Sequence, residues 1–328
     1  MSASVQSLIT SGQSGIIVDI ECHLSNNLPN IVIVGSASQA VAESRERIRG
    51  AFADSRIVLP RKRVTINLAP ADVPKADSSF DLGVAVSILV ASGQIPLEFT
   101  RLEAFVGELG LDGSIRAVRG IIGKLLFGRS RGIETFYIPS ANTSQAQLVP
   151  NVTIIPVRNL GELYDFLRGE HSITPIDTGD GQYPTPEQLQ ATSHNILSSY
   201  FVQVSEVVGQ SQAKRALTIA AAGGHNLLLS GPPGTGKSML AKALATILPP
   251  LTRDEMLEVT QLHSLASPDF DQIISQRPYR APHHSASLAA ITGGGMSLRP
   301  GELSLSHRGV LFCDEFPEFS HAAREALR

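Results

Sequence analysis

Between residues 1 and about 170, short apolar runs suited to strands alternate with stretches of helical spacing. IVIVG (31–35) is β-branched and bounded by Pro29 and Gly35, which predicts a strand. It leads into SASQAVAESRERIRGAF (36–52), where Val41, Ile48 and Phe52 recur near helical spacing among charges. VTINLAP (64–70) predicts the next strand, and FDLGVAVSILVASG (80–93) is apolar nearly all round, as a buried helix is. ETFYIP (134–139) and VTIIPV (152–157) predict two further strands. The segment HSITPIDTGDGQYPTPEQLQATSHNILSSY (171–200) is rich in Pro, Gly, Thr, Ser and Gln and poor in apolar residues, which predicts a linker over 171–202. From 203 the pattern becomes helix, strand, Gly-rich loop, helix. Two α/β domains are therefore expected, at 1–170 and 203–328, with no internal repeat.

Composition narrows the class. The 328 residues are 42% apolar and 17% charged, enough to bury two cores. A net charge of −3 excludes a generally basic nucleic-acid coat but leaves room for a local basic patch. Cys22 and Cys313 lie far apart and fit no metal-ligand spacing, so both are expected as reduced thiols of a cytosolic protein. No apolar run reaches membrane-spanning length, and MSASVQSLITSGQSG (1–15) lacks a charged-then-apolar signal pattern. The expectation is a cytoplasmic protein with no membrane partner.

The chemistry starts at HNLLLSGPPGTGKSMLAKALATIL (225–248), which reads as a buried strand at 227–229, a Gly/Pro loop and an amphipathic helix. The loop fits G-x-x-x-x-G-K-[ST] with Gly231, Pro232, Pro233, Gly234, Thr235, Gly236, Lys237 and Ser238, and Met239 follows. Glycines let successive backbone N–H groups point at phosphate oxygens, and the helix start adds partial positive charge. Lys237 is the cation for the β- and γ-phosphates of ATP, and Ser238 offers a hydroxyl to Mg²⁺. An apolar run at 310–313 predicts a second buried strand beside the first in a parallel sheet, ending in Asp314 and Glu315. Asp314 is suited to hold Mg²⁺, and Glu315 to orient the hydrolytic water.

These residues sit in stretches that carry a resemblance. VVGQSQAKRALTIAAAGGHNLLLSGPPGTGKSMLA (207–241), RPYRAPHHSAS (277–287), GGGMSLRPGELSLSHRGVLFCDE (293–315) and SFDLGVAVSILVASGQI (79–95) together resemble the Mg-chelatase-like AAA+ ATPases of the YifB/ComM family. The likeness runs from near residue 1 to residue 328. One departure is GSAS (35–38), where the family usually has GLPD. The resemblance implies that Gly231, Gly236, Lys237, Ser238, Asp314 and Glu315 serve ATP and Mg²⁺, and that Val208 and Gly209 approach the adenine. It further implies a hexameric ring and a DNA motor promoting branch migration.

The N-terminal region is similar to the family's domain with the fold of Lon protease and ribosomal protein S5. PKADSSFD (74–81) puts Ser79 at the position of the Lon nucleophile, while the position of the catalytic lysine is Ile122. Lys124, two residues on, is expected to point elsewhere. A serine without a base is a poor nucleophile, so this domain is expected to be non-proteolytic and to serve contact.

Between 277 and 308 stand Arg277, Arg280, Arg299 and Arg308 with a single acid, Glu302, set among glycines. Such a segment suits a phosphate backbone bound without sequence readout, against the plainer reading of a solvated loop. A metal site at His283 and His284 is disfavoured, since neighbours on an extended chain face opposite sides. Three functions remain open beside the DNA motor: a metal-insertion ATPase subunit, an ATP-dependent protease, and a non-hydrolysing nucleotide-binding fragment. GVLFCDEFPEFSHAAREALR (309–328) stops soon after the acidic pair. The family's later sensor, arginine finger and helical lid would follow it, so this chain is expected to be truncated, to bind ATP and to turn it over poorly.

Overall fold

The computed structural model describes residues 2–11, 14–34, 39–71, 78–95, 102–179, 202–266, 273–294 and 299–327. GSAS (35–38), the first half of PKADSSFD (74–77) and most of the expected linker (180–201) lie outside the described residues. The chain forms two compact units, one in the N-terminal part and one carrying the described residues from 202 on. Among the described residues no helix is long and apolar enough to cross a membrane.

The first unit is a mixed α/β domain on an eight-stranded sheet whose strands lie in the order 176–177, 153–157, 135–139, 103–105, 2–11, 14–25, 63–69, 30–34. Strands β1 (Ser2–Ser11) and β2 (Ser14–Ser25) pair antiparallel with Val5 opposite Ile20. Neither strand was expected. The signal was present as alternation, with Val18, Ile20 and Cys22 buried on one face, but serines dilute it in β1. β3 (Asn30–Val34) leads through α1 (Gln39–Asp54) to β4 (Arg63–Ala69), which pairs parallel to β3 and antiparallel to β2. Helix α2 (Asp81–Ala91) follows, buried along its whole length, and packs on β1 and β2. Gly83 permits that approach, since a β-carbon there would lie 2.7 Å from Ile20 Cδ1.

Beyond α2, β5 (Glu103–Phe105) runs parallel to β1, and a short ribbon pairs β6 (Glu108–Leu109) with β7 (Ile115–Arg116). Helix α3 (Ile121–Ser130) precedes β8 (Thr135–Pro139), and α4 (Thr143–Ala146) precedes β9 (Thr153–Val157). These strands continue the parallel ladder, and α5 (Leu160–Leu167) closes the unit with Asn159 capping the Glu162 N–H at 2.8 Å. The strands expected at 31–35, 64–70, 134–139 and 152–157 and the helices at 36–52 and 80–93 are all present within a few residues. The segment expected as linker begins inside the sheet: β10 (Ile176–Asp177) pairs with β9, and Thr178 Oγ1 donates to the Val152 carbonyl at 2.9 Å.

Among the described residues of this unit two ionisable side chains, Asp81 and Lys124, are wholly buried. Asp81, with no exposure, accepts from Ser44 Oγ at 2.6 Å and from Arg47 Nε at 2.6 Å, tying α2 to α1. Burial pushes its carboxyl above the usual range, against the pull of the Arg47 guanidinium.

Candidate functional site

In the second unit the chain leaves α6 (Ser211–Gly223) through Gly224, whose left-handed backbone (φ 63°, ψ 33°) ends the helix. The expected buried strand at 227–229 is not formed: these residues pair with no strand among the described residues. Leu227 and Leu229 pack on Val207, Leu217 and Leu240, while Leu228 is 85% exposed. An apolar run becomes a ladder strand only where neighbouring backbone supplies both partners and cover. Here the partner of β14 (Val310–Leu311) is β11 (Tyr279–Arg280), in parallel register and half-buried, so the strand expected at 310–313 is short and forms no ladder with 227–229.

The loop itself is built as its glycines require. Gly234 (φ 80°) and Gly236 (φ 85°) both take left-handed backbone, which costs a side-chain-bearing residue and suits glycine. A β-carbon at either would meet nothing within 4 Å, so the space they enclose is open. Thr235 Oγ1 braces the loop by donating to the Pro232 carbonyl at 2.9 Å. Gln210 Nε2 reaches the Thr235 carbonyl at 3.4 Å, a contact that no motif in the sequence announces. Helix α7 (Lys237–Ile247) starts at Gly236 and buries Leu240 and Ala243 against Val207 and Leu217. Lys237 Nζ folds back over the loop, donating to the carbonyls of Gly231 at 2.9 Å and Pro232 at 2.8 Å. An ammonium on uncharged carbonyls exchanges them readily for phosphate oxygens.

Across the unit the acidic pair meets this loop. Ser238 Oγ donates to Asp314 Oδ2 at 3.2 Å, joining residues 76 positions apart. The other oxygen, Oδ1, accepts the Glu315 backbone N–H at 3.1 Å. Glu315 takes left-handed backbone (φ 51°, ψ 47°), a conformation uncommon outside glycine that recurs at functional turns. Neighbouring ligands of an octahedral Mg²⁺ at 2.0–2.1 Å stand about 3 Å apart, so the hydroxyl and carboxylate already have the spacing of one edge of its shell. Both are the hard oxygen donors that Mg²⁺ prefers. Val208 is 93% exposed beside Gly209 (φ 68°), with its neighbour Val207 in the core. Met239 is 45% exposed on the first turn of α7. Pro232, Pro233 and Gly231 are exposed.

The arginines of 277–308 divide. Arg277 is turned inward, with Nε on the Pro249 carbonyl at 2.5 Å and NH1 on the Arg308 carbonyl at 2.7 Å. Its NH2 pairs with Glu255 at 3.0 Å. Arg280 forms a two-point pair with Glu302, both contacts 2.5 Å. Arg308 and His307 reach Glu258 at 2.9 and 3.2 Å. The apparent local excess of positive charge is thus offset by Glu255 and Glu258 of α8 (Arg253–Ala266), which lie outside the segment in sequence and inside its shell in space. Arg299, on the ribbon β12 (Gly293–Gly294) and β13 (Arg299–Pro300), is exposed. His283 and His284 do not diverge as an extended chain would make them: a turn starts at His284, and their rings meet with centroids 4.1 Å apart and planes tilted by 35°.

In the first unit Ser79 is wholly buried and its Oγ donates to the Leu8 carbonyl at 3.0 Å. Ile122 is buried, and Lys124, two residues on, sends its Nζ to the Arg119 carbonyl at 2.9 Å.

Comparison with known proteins agrees with this layout. Two family models match, one described as magnesium chelatase, subunit ChlI, over residues 203–328, and one as subunit ChlI of Mg-chelatase over residues 20–142. The competence protein ComM of Haemophilus influenzae is 40% identical over 327 residues, covering 99% of this chain and 62% of that protein. YifB of Salmonella typhimurium is 43% identical over 314 residues, 95% of this chain and 59% of its own length. Lon protease of Xanthomonas oryzae is 28% identical over 181 residues, 53% of this chain and 20% of that protein. The chain spans about three fifths of the length of the ComM and YifB relatives. It belongs to the magnesium-chelatase-like AAA+ family of YifB and ComM.

Proposed function

We propose that the second unit binds ATP with Mg²⁺ and that the protein to which this chain belongs is an ATP-driven motor acting on DNA. The reading is carried by the contact of Ser238 with Asp314, which sets a hydroxyl and a carboxylate from distant parts of the chain 3.2 Å apart beside Lys237. Bound Mg²⁺ would neutralise charge on the β- and γ-phosphates, with Ser238 and Asp314 holding it. Lys237 would leave the carbonyls of Gly231 and Pro232 for the phosphates, and the backbone of 231–236 would line them. Glu315 would orient water, and exposed Val208 and Met239 would offer apolar surface to the base. Assembly into a ring belongs to the same reading.

For DNA the support is narrower. Arg299 is an exposed cation of the segment, where the likewise exposed Arg308 is paired with Glu258, and one relative is by name a competence protein. A metal-insertion ATPase is the second reading, favoured by the two chelatase models that match the chain. The first unit is read as non-proteolytic, because the Ser79 hydroxyl is engaged by a backbone carbonyl and Ile122 occupies the place of a general base.

Binding of a fluorescent ATP with and without Mg²⁺, in the chain and in Lys237→Ala, tests the nucleotide reading. Affinity that is indifferent to Lys237 would overturn it. ATP hydrolysis stimulated by duplex or forked DNA, measured on the whole protein, separates the motor from a chelatase, whose hydrolysis DNA would leave unchanged.

A further inference from the structure

Beside the acidic pair stand two imidazoles to which the proposed phosphate chemistry gives no role. The parallel pairing of β11 with β14 continues past Leu311, where the Phe312 N–H donates to the Arg280 carbonyl at 2.8 Å. The residues that follow Arg280 therefore run beside those that follow Leu311. In that register His284 Nδ1 lies 3.8 Å from Glu315 Oε2. His283 packs against His284 with centroids 4.1 Å apart and ring planes tilted by 35°, and His283 Nδ1 is hydrogen-bonded with Ser285 Oγ at 2.8 Å, so the imidazole pair is braced.

Glu315 needs such a partner. Its side chain is 69% exposed, and a glutamate with three free torsions in water has no fixed direction unless something holds its carboxylate. A group that orients the attacking water must stay within hydrogen-bond reach of it. The left-handed backbone of Glu315 and the N–H bond to Asp314 settle where the side chain starts, not where it ends. His284 is the ring that meets its far end.

We propose that His284 is a positioning residue for Glu315, holding the carboxylate in the pose from which it orients the hydrolytic water. At 3.8 Å the contact is an ion pair with a doubly protonated ring, or a one-water bridge with a neutral one. In both forms Nδ1 is the atom that faces the carboxylate. His284 touches no phosphate in this role and acts only through Glu315. The inference rests on the reading of Glu315 given above.

The test compares ADP alone with ADP–aluminium fluoride, both with Mg²⁺, because the fluoride complex mimics the transferred phosphoryl group and is sensitive to what aligns the water. In His284→Ala, affinity for ADP–aluminium fluoride should fall about tenfold while affinity for ADP stays the same. His284→Asn, whose amide nitrogen takes the place of Nδ1, should restore most of the loss, and His284→Gln should not. In a Glu315→Ala background, His284→Ala should cost nothing more. An equal loss for both ligands, or an undiminished loss without Glu315, would overturn the proposal. If the chain binds neither ligand, the nucleotide reading itself fails, and the contact is then judged from the ¹⁵N shift of the His284 ring. That shift should move in Glu315→Gln, and an unmoved shift would overturn the proposal.

Discussion

Ser238 and Asp314 meet at 3.2 Å although 76 positions separate them. One is the first-turn hydroxyl of α7, and the other is the carboxylate that follows β14. The contact joins the glycine-rich loop to the acidic pair, and, on the reading proposed above, it yields the first prediction. Ser238→Ala and Asp314→Asn should each lower Mg²⁺ affinity on the order of tenfold or more at fixed nucleotide. The double variant should cost less than the sum, since both act on one ion. Additive losses in a Mg²⁺ titration would show that the two residues serve separate purposes.

The arginines should separate by role. Arg299→Ala should weaken DNA binding for every sequence and flatten the salt dependence by about one unit. Arg277→Ala should leave that slope alone and instead lower stability by about 1–3 kcal/mol, because its guanidinium satisfies backbone carbonyls and Glu255. Fluorescence anisotropy across a salt series, with denaturant melts of the same variants, reads both. A salt slope that responds to Arg277 and not to Arg299 would reverse the assignment.

In the first unit, Asp81→Ala should destabilise the fold by about 3–5 kcal/mol, since it strands a largely buried Arg47. Replacing both partners with apolar residues, Arg47→Met with Asp81→Leu, should recover much of that loss. Urea unfolding of the three variants decides the matter, and a single variant as stable as the parent would show the pair to be dispensable.

His263 supplies a pH dependence with a definite sign. Its Nε2 donates to the Leu305 carbonyl at 2.9 Å, and burial pushes its pKa below the ordinary value. A group with a lowered folded pKa favours the fold in its neutral form. Its contribution is therefore complete above the unfolded pKa of about 6.5 and is lost as pH falls through the lower folded value. Melting temperature should drop as pH falls below about 7, and His263→Gln should flatten that drop. A slope unchanged in His263→Gln would place the proton uptake elsewhere.

Local pattern determined a good deal of this protein. The apolar run of α2 and the β-branched strands β3, β4, β8 and β9 were legible because burial imposes its own periodicity on a chain. The left-handed turns at Gly234 and Gly236 and the helix start at Lys237 were legible because glycine in a G-x-x-x-x-G-K-[ST] spacing marks where the backbone must turn before a helix. Tertiary structure alone decided what depends on distant partners. The run at 227–229 has strand composition, but a strand is completed by neighbouring backbone, and β14 took β11 as its partner. The hairpin of β1 and β2 was hidden by serines, which tolerate burial only where the fold supplies an acceptor, as the Ser79 carbonyl does for Ser7. Counting charges along 277–308 gave an excess that Glu255 and Glu258 reduce through space. His284 came to Glu315 by register and turn, because Coulomb and hydrogen-bond energies depend on separation in space and not along the chain.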